Sequence, residues 1–196
     1  MDERTARPFD FTAHVERLAA DVSRRVPELG HVDVARVAFS WSQTRKAVPY
    51  GIYASLTPLR FRGGALSEQR DGQTWVTQRI VDRDGRDFLY LMTFYLPRFL
   101  NCRAGEKLET LVHEMWHIGP AFDGDLRRHA GRCYAHGPSQ VAFDAKVSAL
   151  TRQYLDTSPA DELLAFLRHN HRGLCRRFGG VVGRRIPRPR LLPKTG

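Results

Sequence analysis

Apolar residues occur along this chain in two different patterns, and each pattern predicts a different kind of element. Near the N-terminus they repeat every three to four residues, at Phe11, Val15, Leu18, Ala19 and Val22. This spacing places them on one face of an amphipathic helix, which ends before Pro27 and Gly30. The β-branched run that follows, from Val32 to Ser42, predicts a first strand.

More strand-like segments follow before the middle of the chain. Residues 48–61 are extended in character but broken by prolines, and residues 74–81 and 88–95 are rich in β-branched and aromatic residues. Asp84-Gly85 lies between the last two runs and is a typical turn pair, so we predict that they form a β-hairpin. An N-terminal helix and a small, mostly antiparallel sheet thus precede the middle of the chain, which indicates an α+β fold.

The segment from Leu108 to Gly119 (LETLVHEMWHIG) predicts a helix and carries a chemical motif, H-E-x-x-H. Because residues four apart lie on one face of a helix, His113 and His117 can bind one Zn²⁺ through their ring nitrogens. Glu114 lies roughly 100° around the helix from His113. There it can act as a general base on a zinc-bound water instead of ligating the metal.

The remainder of the chain predicts a polar stretch, two further helices and a tail. The polar stretch covers residues 121–137, and the helices run from Pro138 to Leu155 and from Glu162 to about Arg172. Gly179-Gly180 and the proline-arginine run after it indicate an extended segment with little apolar surface. We therefore expect a zincin-like metallopeptidase domain over residues 1–178. A basic, flexible tail over residues 179–196 would follow it, dispensable for folding from Arg184 onward.

Positive charge is concentrated at the end of the chain. The formal net charge of the 196 residues is +10, and residues 172–196 contain eight Lys or Arg and no acidic residue. A basic tail beside an almost neutral body is typical of a tether for DNA or another polyanion. A tail that serves only solubility is the alternative interpretation.

The cysteines and the N-terminus indicate the compartment. The three cysteines, Cys102, Cys133 and Cys175, are widely spaced and form no C-x-x-C pair, which argues against a disulfide scaffold and favours a reducing environment. The first residues lack the apolar core of a signal peptide, and no stretch approaches the length of a transmembrane helix. We expect a cytoplasmic protein without membrane contact.

A catalytic zinc site usually has three protein ligands and one water, so a third ligand is expected outside the helix. Two histidines are the main candidates. His136 directly precedes a predicted helix, which would fix its position, whereas His129 lies among arginines in the polar stretch. We favour His136 and retain His129 as the alternative third ligand.

Three carboxylates are weaker candidates for the same role. Asp123 occupies the third-ligand position of the metzincin pattern H-E-x-x-H-x-x-G-x-x-H, but Pro120 replaces the glycine that permits the turn. Asp144 falls within a predicted helix, where an aspartate is usually solvated. Glu162 falls in the first turn of another helix, where it would stabilise the helix dipole.

The stretch HEMWHIGPAFDGDLRRHAGRCYAHGPSQVAFD, from His113 to Asp144, resembles the H-E-x-x-H region of phage and bacterial metallopeptidases. More distantly it is similar to the SprT-like (Spartan-type) zincins. In those proteins a helix and a few strands precede the motif helix, and a third histidine lies in an H-G-P-x-x-F-like stretch, here His136 to Phe143. The resemblance implies a zincin-like fold with His136 as the third ligand.

This chain departs from the resemblance in two ways. The gap from His117 to His136 is longer than expected, which keeps His129 as an alternative. The chain also has no C-terminal zinc ribbon, so any DNA contact would have to come from the basic tail.

These observations predict a zinc-dependent endopeptidase that acts on proteins or peptides. Glu114 would take a proton from the zinc-bound water and return it to the leaving amine. An extended substrate can add to a strand beside the cleft. Either Tyr134 or an arginine of the polar stretch (Arg127, Arg128 or Arg132) would stabilise the oxyanion. The alternative is a zinc-stabilised nucleic-acid-binding protein without peptidase activity, whose structural zinc would be closed by four ligands.

Overall fold

The computed structural model of the protein describes residues 7–44, 51–128 and 139–194. A run of strands is followed along the chain by a run of helices, which confirms the predicted α+β class. The elements are β1 (Phe9–Asp10), α1 (Phe11–Arg25), β2 (Val37–Gln43), β3 (Ala54–Pro58), β4 (Ser67–Arg70), β5 (Gln73–Thr77), β6 (Tyr90–Leu96), α2 (Ala104–Trp116), α3 (Gln140–Asp156), α4 (Asp161–Leu164), α5 (His171–Phe178), β7 (Val181–Val182) and β8 (Leu191–Pro193). None of the helices within these ranges is long and apolar enough to cross a membrane.

Helix α1 forms as the apolar period predicts. The Asp10 carboxylate accepts a hydrogen bond from the Ala13 N–H at 3.0 Å, which caps the first turn. The predicted apolar face is completely buried in the main core, where it packs against β2. Burying such side chains is worth about 1.5–3 kcal/mol each, so this face holds the helix on the sheet.

The central sheet has three strands in the order β2-β6-β3. Strand β2 is parallel to β6 and β3 is antiparallel to it, so the sheet is mixed and the prediction of a mostly antiparallel sheet is wrong for it. On one face, Met92 and its alternate neighbours along β6 belong to the core beneath α1 and α2. On the other face, Leu91 packs with Ala38, Leu59 and Phe88 in a smaller cluster. Strand β6 thus contributes one whole face to the main core and Leu91 of its other face to the smaller cluster.

The predicted hairpin is wrong, although both of its strands exist. Strand β5 pairs with β4 and β8 in a peripheral sheet, whereas β6 joins the central sheet. Only an isolated bridge between Val81 and Asp87 links the two runs among the described residues. The Asp84-Gly85 turn forms, since the Asp82 N–H and the Gly85 N–H are both bonded within it. The half-exposed β5 has no apolar face to bury beside the buried β6, so the two strands separate.

Helix α3 forms as predicted, capped by the Ser139 hydroxyl, which accepts from the Ala142 N–H. The prediction of one continuous last helix is wrong, because this part of the chain is divided into α4, a short 3₁₀ turn and α5. The buried Lys107 ammonium donates to the carbonyls of Leu167 and His169, which removes them from any continuing helix. Asn170 then caps the restart of the chain as α5 by accepting from the Gly173 N–H at 2.7 Å.

The tail is packed on the body instead of being flexible, which corrects our prediction for residues 179–194. Strand β7 pairs in parallel with β1, and β8 pairs with β5. Between them the Arg184 carbonyl accepts from the Trp41 N–H, and Ile186 packs against the smaller cluster. The sequence is poor in apolar residues here, but open strand edges elsewhere in the chain supply backbone hydrogen bonds that composition does not reveal.

Candidate metal centre

Helix α2 carries the H-E-x-x-H motif, and its apolar stripe packs in the main core. Leu108, Leu111, Val112 and Met115 are buried in the main core, as the sequence predicts. The Glu106 carboxylate accepts from the Arg103 N–H at 2.7 Å and stabilises the first turn. The helix ends at Trp116, but His117 keeps a near-helical backbone at φ −68° and ψ −17°. Its side chain therefore still lies above that of His113.

The two motif histidines converge on one point. Their Nε2 atoms are 3.1 Å apart, and their ring centroids are separated by 4.8 Å. A tetrahedral zinc with Zn–N bonds of about 2.05 Å holds two ligand nitrogens about 3.3 Å apart. The observed separation is close to this value, and it is also that of a hydrogen bond between the two rings.

Phe143 of α3 holds both imidazoles in this arrangement. Its buried ring stacks on His117 at 5.0 Å and meets His113 edge-on at 4.9 Å between centroids. Such ring contacts restrict the rotation of the two imidazoles and exclude water from one side of the pair. An apolar residue at this position has no metal chemistry, and the sequence pattern alone does not indicate its positioning role.

The loop that follows the motif is bonded to the backbone of His117. The Arg127 N–H donates to the His117 carbonyl at 2.7 Å, and the Arg127 guanidinium lies 3.7 Å above the Trp116 ring. The loop is tied to the central sheet by Tyr90, whose hydroxyl donates to the Asp125 carbonyl at 2.8 Å. Of the suggested oxyanion donors, Arg127 lies over the Trp116 ring and Arg128 pairs with Asp125. Arg132 and Tyr134 lie outside the described residues.

Glu114 is buried beside the histidine pair. Burial raises the pKa of Glu114 to about 7, and a hydrogen bond from the Leu56 N–H of β3 opposes this increase. That bond ties the carboxylate to the sheet and orients it. A dication held by the neighbouring histidines would favour the ionised form and so lower this pKa. The Leu56 contact is a backbone interaction that no residue type in the sequence predicts.

A cavity of about 390 Å³ opens beside His113 and Glu114. One wall is the start of β3 with the residues before it, and the others are α2 and α3. The acidic side chains that line it are Glu106, Glu109, Glu114 and Asp144, and no Lys or Arg is among its described lining residues. Glu109 was missed by our sequence analysis, although it lies one helical turn before His113 and its position on the same face is readable from helix periodicity.

If the third ligand is His136 or His129, it lies outside the described part of the chain, because both histidines fall in residues 129–138. Of the carboxylate candidates, Asp144 lines the cavity, where its carboxylate accepts from the Gln140 amide. Asp123 accepts from the Asp125 N–H, and Glu162 lines a separate pocket beside α5. Within residues 7–44, 51–128 and 139–194, no group of three potential ligands is close enough to hold a metal.

We compared the chain with models of protein families, with curated proteins and with solved structures, and none of them matches it. Any function assigned to this centre therefore rests on its own residues and geometry.

Proposed function

We propose that the protein is a zinc-dependent metallopeptidase with a zincin-like arrangement, in which His113 and His117 hold the metal together with a third ligand, His136. The observation that carries the proposal is the 3.1 Å separation of the two Nε2 atoms, next to the buried Glu114, which lines a cavity together with His113. Two imidazoles and a glutamate on adjacent helical positions form the ligand and base pair of H-E-x-x-H metallopeptidases. His129 remains the alternative third ligand.

Zinc bound at this centre would supply a Lewis acid that acidifies a water molecule and polarises the scissile carbonyl. The chain's own contribution to proton transfer is Glu114. Its carboxylate, held by the Leu56 N–H, would take the proton from the attacking water and deliver it to the leaving amine nitrogen. Phe143 shields the imidazole pair, which strengthens electrostatic interactions there by excluding solvent.

The substrate in this proposal is an extended peptide bound along β3. This strand lies at an edge of the central sheet, and among the described residues no strand pairs with its outer side. Its first residue, Ala54, lines the cavity together with the preceding Gly51, Ile52 and Tyr53. A peptide added beside β3 would gain backbone hydrogen bonds from this edge, apart from the Leu56 N–H that Glu114 already accepts from, and place one of its carbonyls near the histidine pair.

The alternative is a zinc-stabilised nucleic-acid-binding protein without peptidase activity. A structural zinc site has no use for Glu114, because its four ligands close the coordination sphere. Burying an ionisable carboxylate costs free energy even with one hydrogen bond, and Glu114 is buried at the cavity wall. This cost favours the peptidase over the structural alternative.

The test is hydrolysis of a quenched fluorescent casein by the wild type and by Glu114→Gln. We expect the variant to retain its zinc and its melting temperature but to lose about 10²- to 10⁴-fold in rate, the usual contribution of a positioned proton carrier. Glu68→Gln, which removes a carboxylate from the distant strand β4, is the matched control and should hydrolyse at the wild-type rate. Equal rates in Glu114→Gln and the wild type would refute the proposed role.

A further inference from the structure

Strand β3 turns only alternate residues towards the cleft. The Tyr53 carbonyl accepts from the Tyr95 N–H at 2.9 Å, so the odd-numbered residues of this strand face β6 in the antiparallel pair. The even-numbered residues, Ala54 and Leu56, therefore direct their N–H and carbonyl groups to the outer side, away from β6. The hydrogen bond from the Leu56 N–H to Glu114 confirms this direction.

Two side chains of the protein already bond to this outer edge. Glu114 accepts from the Leu56 N–H, and the Arg98 guanidinium donates to the Ile52 carbonyl at 3.0 Å. Between these two contacts lie the Ala54 N–H, the Ala54 carbonyl and the Leu56 carbonyl, and none of them is bonded to another of the described residues. The edge thus offers a short window of one donor and two acceptors to a peptide.

A peptide strand that pairs with this window has one carbonyl that β3 does not bind. The Ala54 N–H donates to one peptide carbonyl, but the next outward N–H along the strand, on Leu56, is already bonded to Glu114. The peptide carbonyl that faces the Leu56 N–H therefore lies beside the Glu114 carboxylate without a hydrogen bond from the strand. A carbonyl bonded to a strand N–H is held towards β3, whereas this one is free to turn towards the histidine pair.

We propose that the substrate binds β3 in one register, in which the scissile carbonyl is the one that faces the Leu56 N–H. This inference rests on the proposed peptidase function and adds a backbone requirement to it. Whether the peptide runs parallel or antiparallel to β3, the carbonyls of Ala54 and Leu56 then accept from the same two peptide N–H groups. One belongs to the residue that carries the scissile carbonyl, and the other to the second residue after the scissile bond.

The register defines a class of substrates. They are extended peptides with a backbone N–H at both of these positions, so proline, which has none, is excluded from each of them. The residue just before the one with the scissile carbonyl and the third residue after the bond have N–H groups that point away from β3. Proline is not excluded from these two positions by the pairing.

The experiment compares N-methylated forms of one peptide, chosen from casein by locating a scissile bond with mass spectrometry. Methylation at either required position should lower kcat/KM about tenfold, because each removes one backbone hydrogen bond. Methylation at either of the two positions that point away from β3 is the matched control, since it adds the same group to the same peptide. It should change kcat/KM by less than about twofold.

The pattern of losses decides the register. The proposal fails if the control methylations cost as much as the others, or if only one of the two required positions matters, because the peptide then lies in a different register. A hydrolysed parent peptide with the wrong pattern refutes the register and leaves the peptidase function standing. A parent peptide that the protein does not hydrolyse refutes the peptidase function, and the register with it.

Discussion

Strand β3 separates two concave surfaces of opposite charge. The cavity beside α2 is lined by four carboxylates and no described basic residue, whereas the cavity on the other face of the sheet, beside residues 185–188, is lined by two arginines and no described carboxylate. Ile52 lines both, with 62% of its surface exposed. The net charge of +10 thus describes neither surface, because the packed tail places positive charge behind the sheet and leaves the proposed peptidase cleft negative. The two surfaces should select ligands of opposite charge.

The largest effect we expect concerns the third ligand of the cleft. His136→Ala should lose hydrolysis by at least about 10³-fold, since two protein ligands do not retain a catalytic zinc. His129→Ala is the matched control in the same stretch and should keep most of the activity. Hydrolysis of the fluorescent casein and zinc content, measured on both variants, decide between the two histidines. The reverse pattern would make His129 the ligand.

The surface beside residues 185–188 can be removed by ending the chain before this segment, which also tests how far the tail stabilises the body. A chain that ends at Gly183 loses β8, the Ile186 packing and the Trp41 backbone bond. We expect a loss of about 4 kcal/mol, or about 10 °C in melting temperature for a chain of this length. A chain that ends at Lys194 keeps every described contact and should melt like the full-length protein. Calorimetry that finds equal melting temperatures for all three would show that the tail does not stabilise the body.

The tail also shows what the sequence reveals and what it conceals. Helix α1, helix α2 and the histidine pair follow from side-chain periodicity, and all were predictable. The packing of the tail depends on backbone hydrogen bonds to strand edges, which carry no side-chain signature. The separation of β5 from β6 was hidden for a similar reason, because a turn pair such as Asp84-Gly85 predicts a local reversal but not the partners of the strands around it.

In the candidate site, too, some residues follow from the spacing in the sequence and others are brought together only by the fold. His113 and His117 were predictable because their spacing alone places them on one helix face, and Glu114 because it belongs to the same motif. The Leu56 N–H that orients Glu114 and the Phe143 ring that contacts both histidines come from elements distant in sequence, and only the fold brings them together.

If the cleft beside α2 hydrolyses peptides, its four carboxylates should make it prefer basic substrates. Glu109→Gln with Asp144→Asn should reduce kcat/KM for a lysine-containing peptide about three- to fivefold, since each exposed charge interaction is worth roughly 0.5 kcal/mol. The matched peptide with alanine in place of lysine should be cleaved at an unchanged rate. If the two substitutions affect both peptides equally, the carboxylates do not select charge.

Metal analysis of the purified protein shows whether His113 and His117 hold zinc. We expect one zinc per wild-type chain after gel filtration in metal-free buffer and none in His113→Ala. His171→Ala removes a histidine of α5, far along the chain from the motif, and should retain the full zinc content. A wild-type chain without zinc, or a His113→Ala chain that still holds it, would refute the zinc centre.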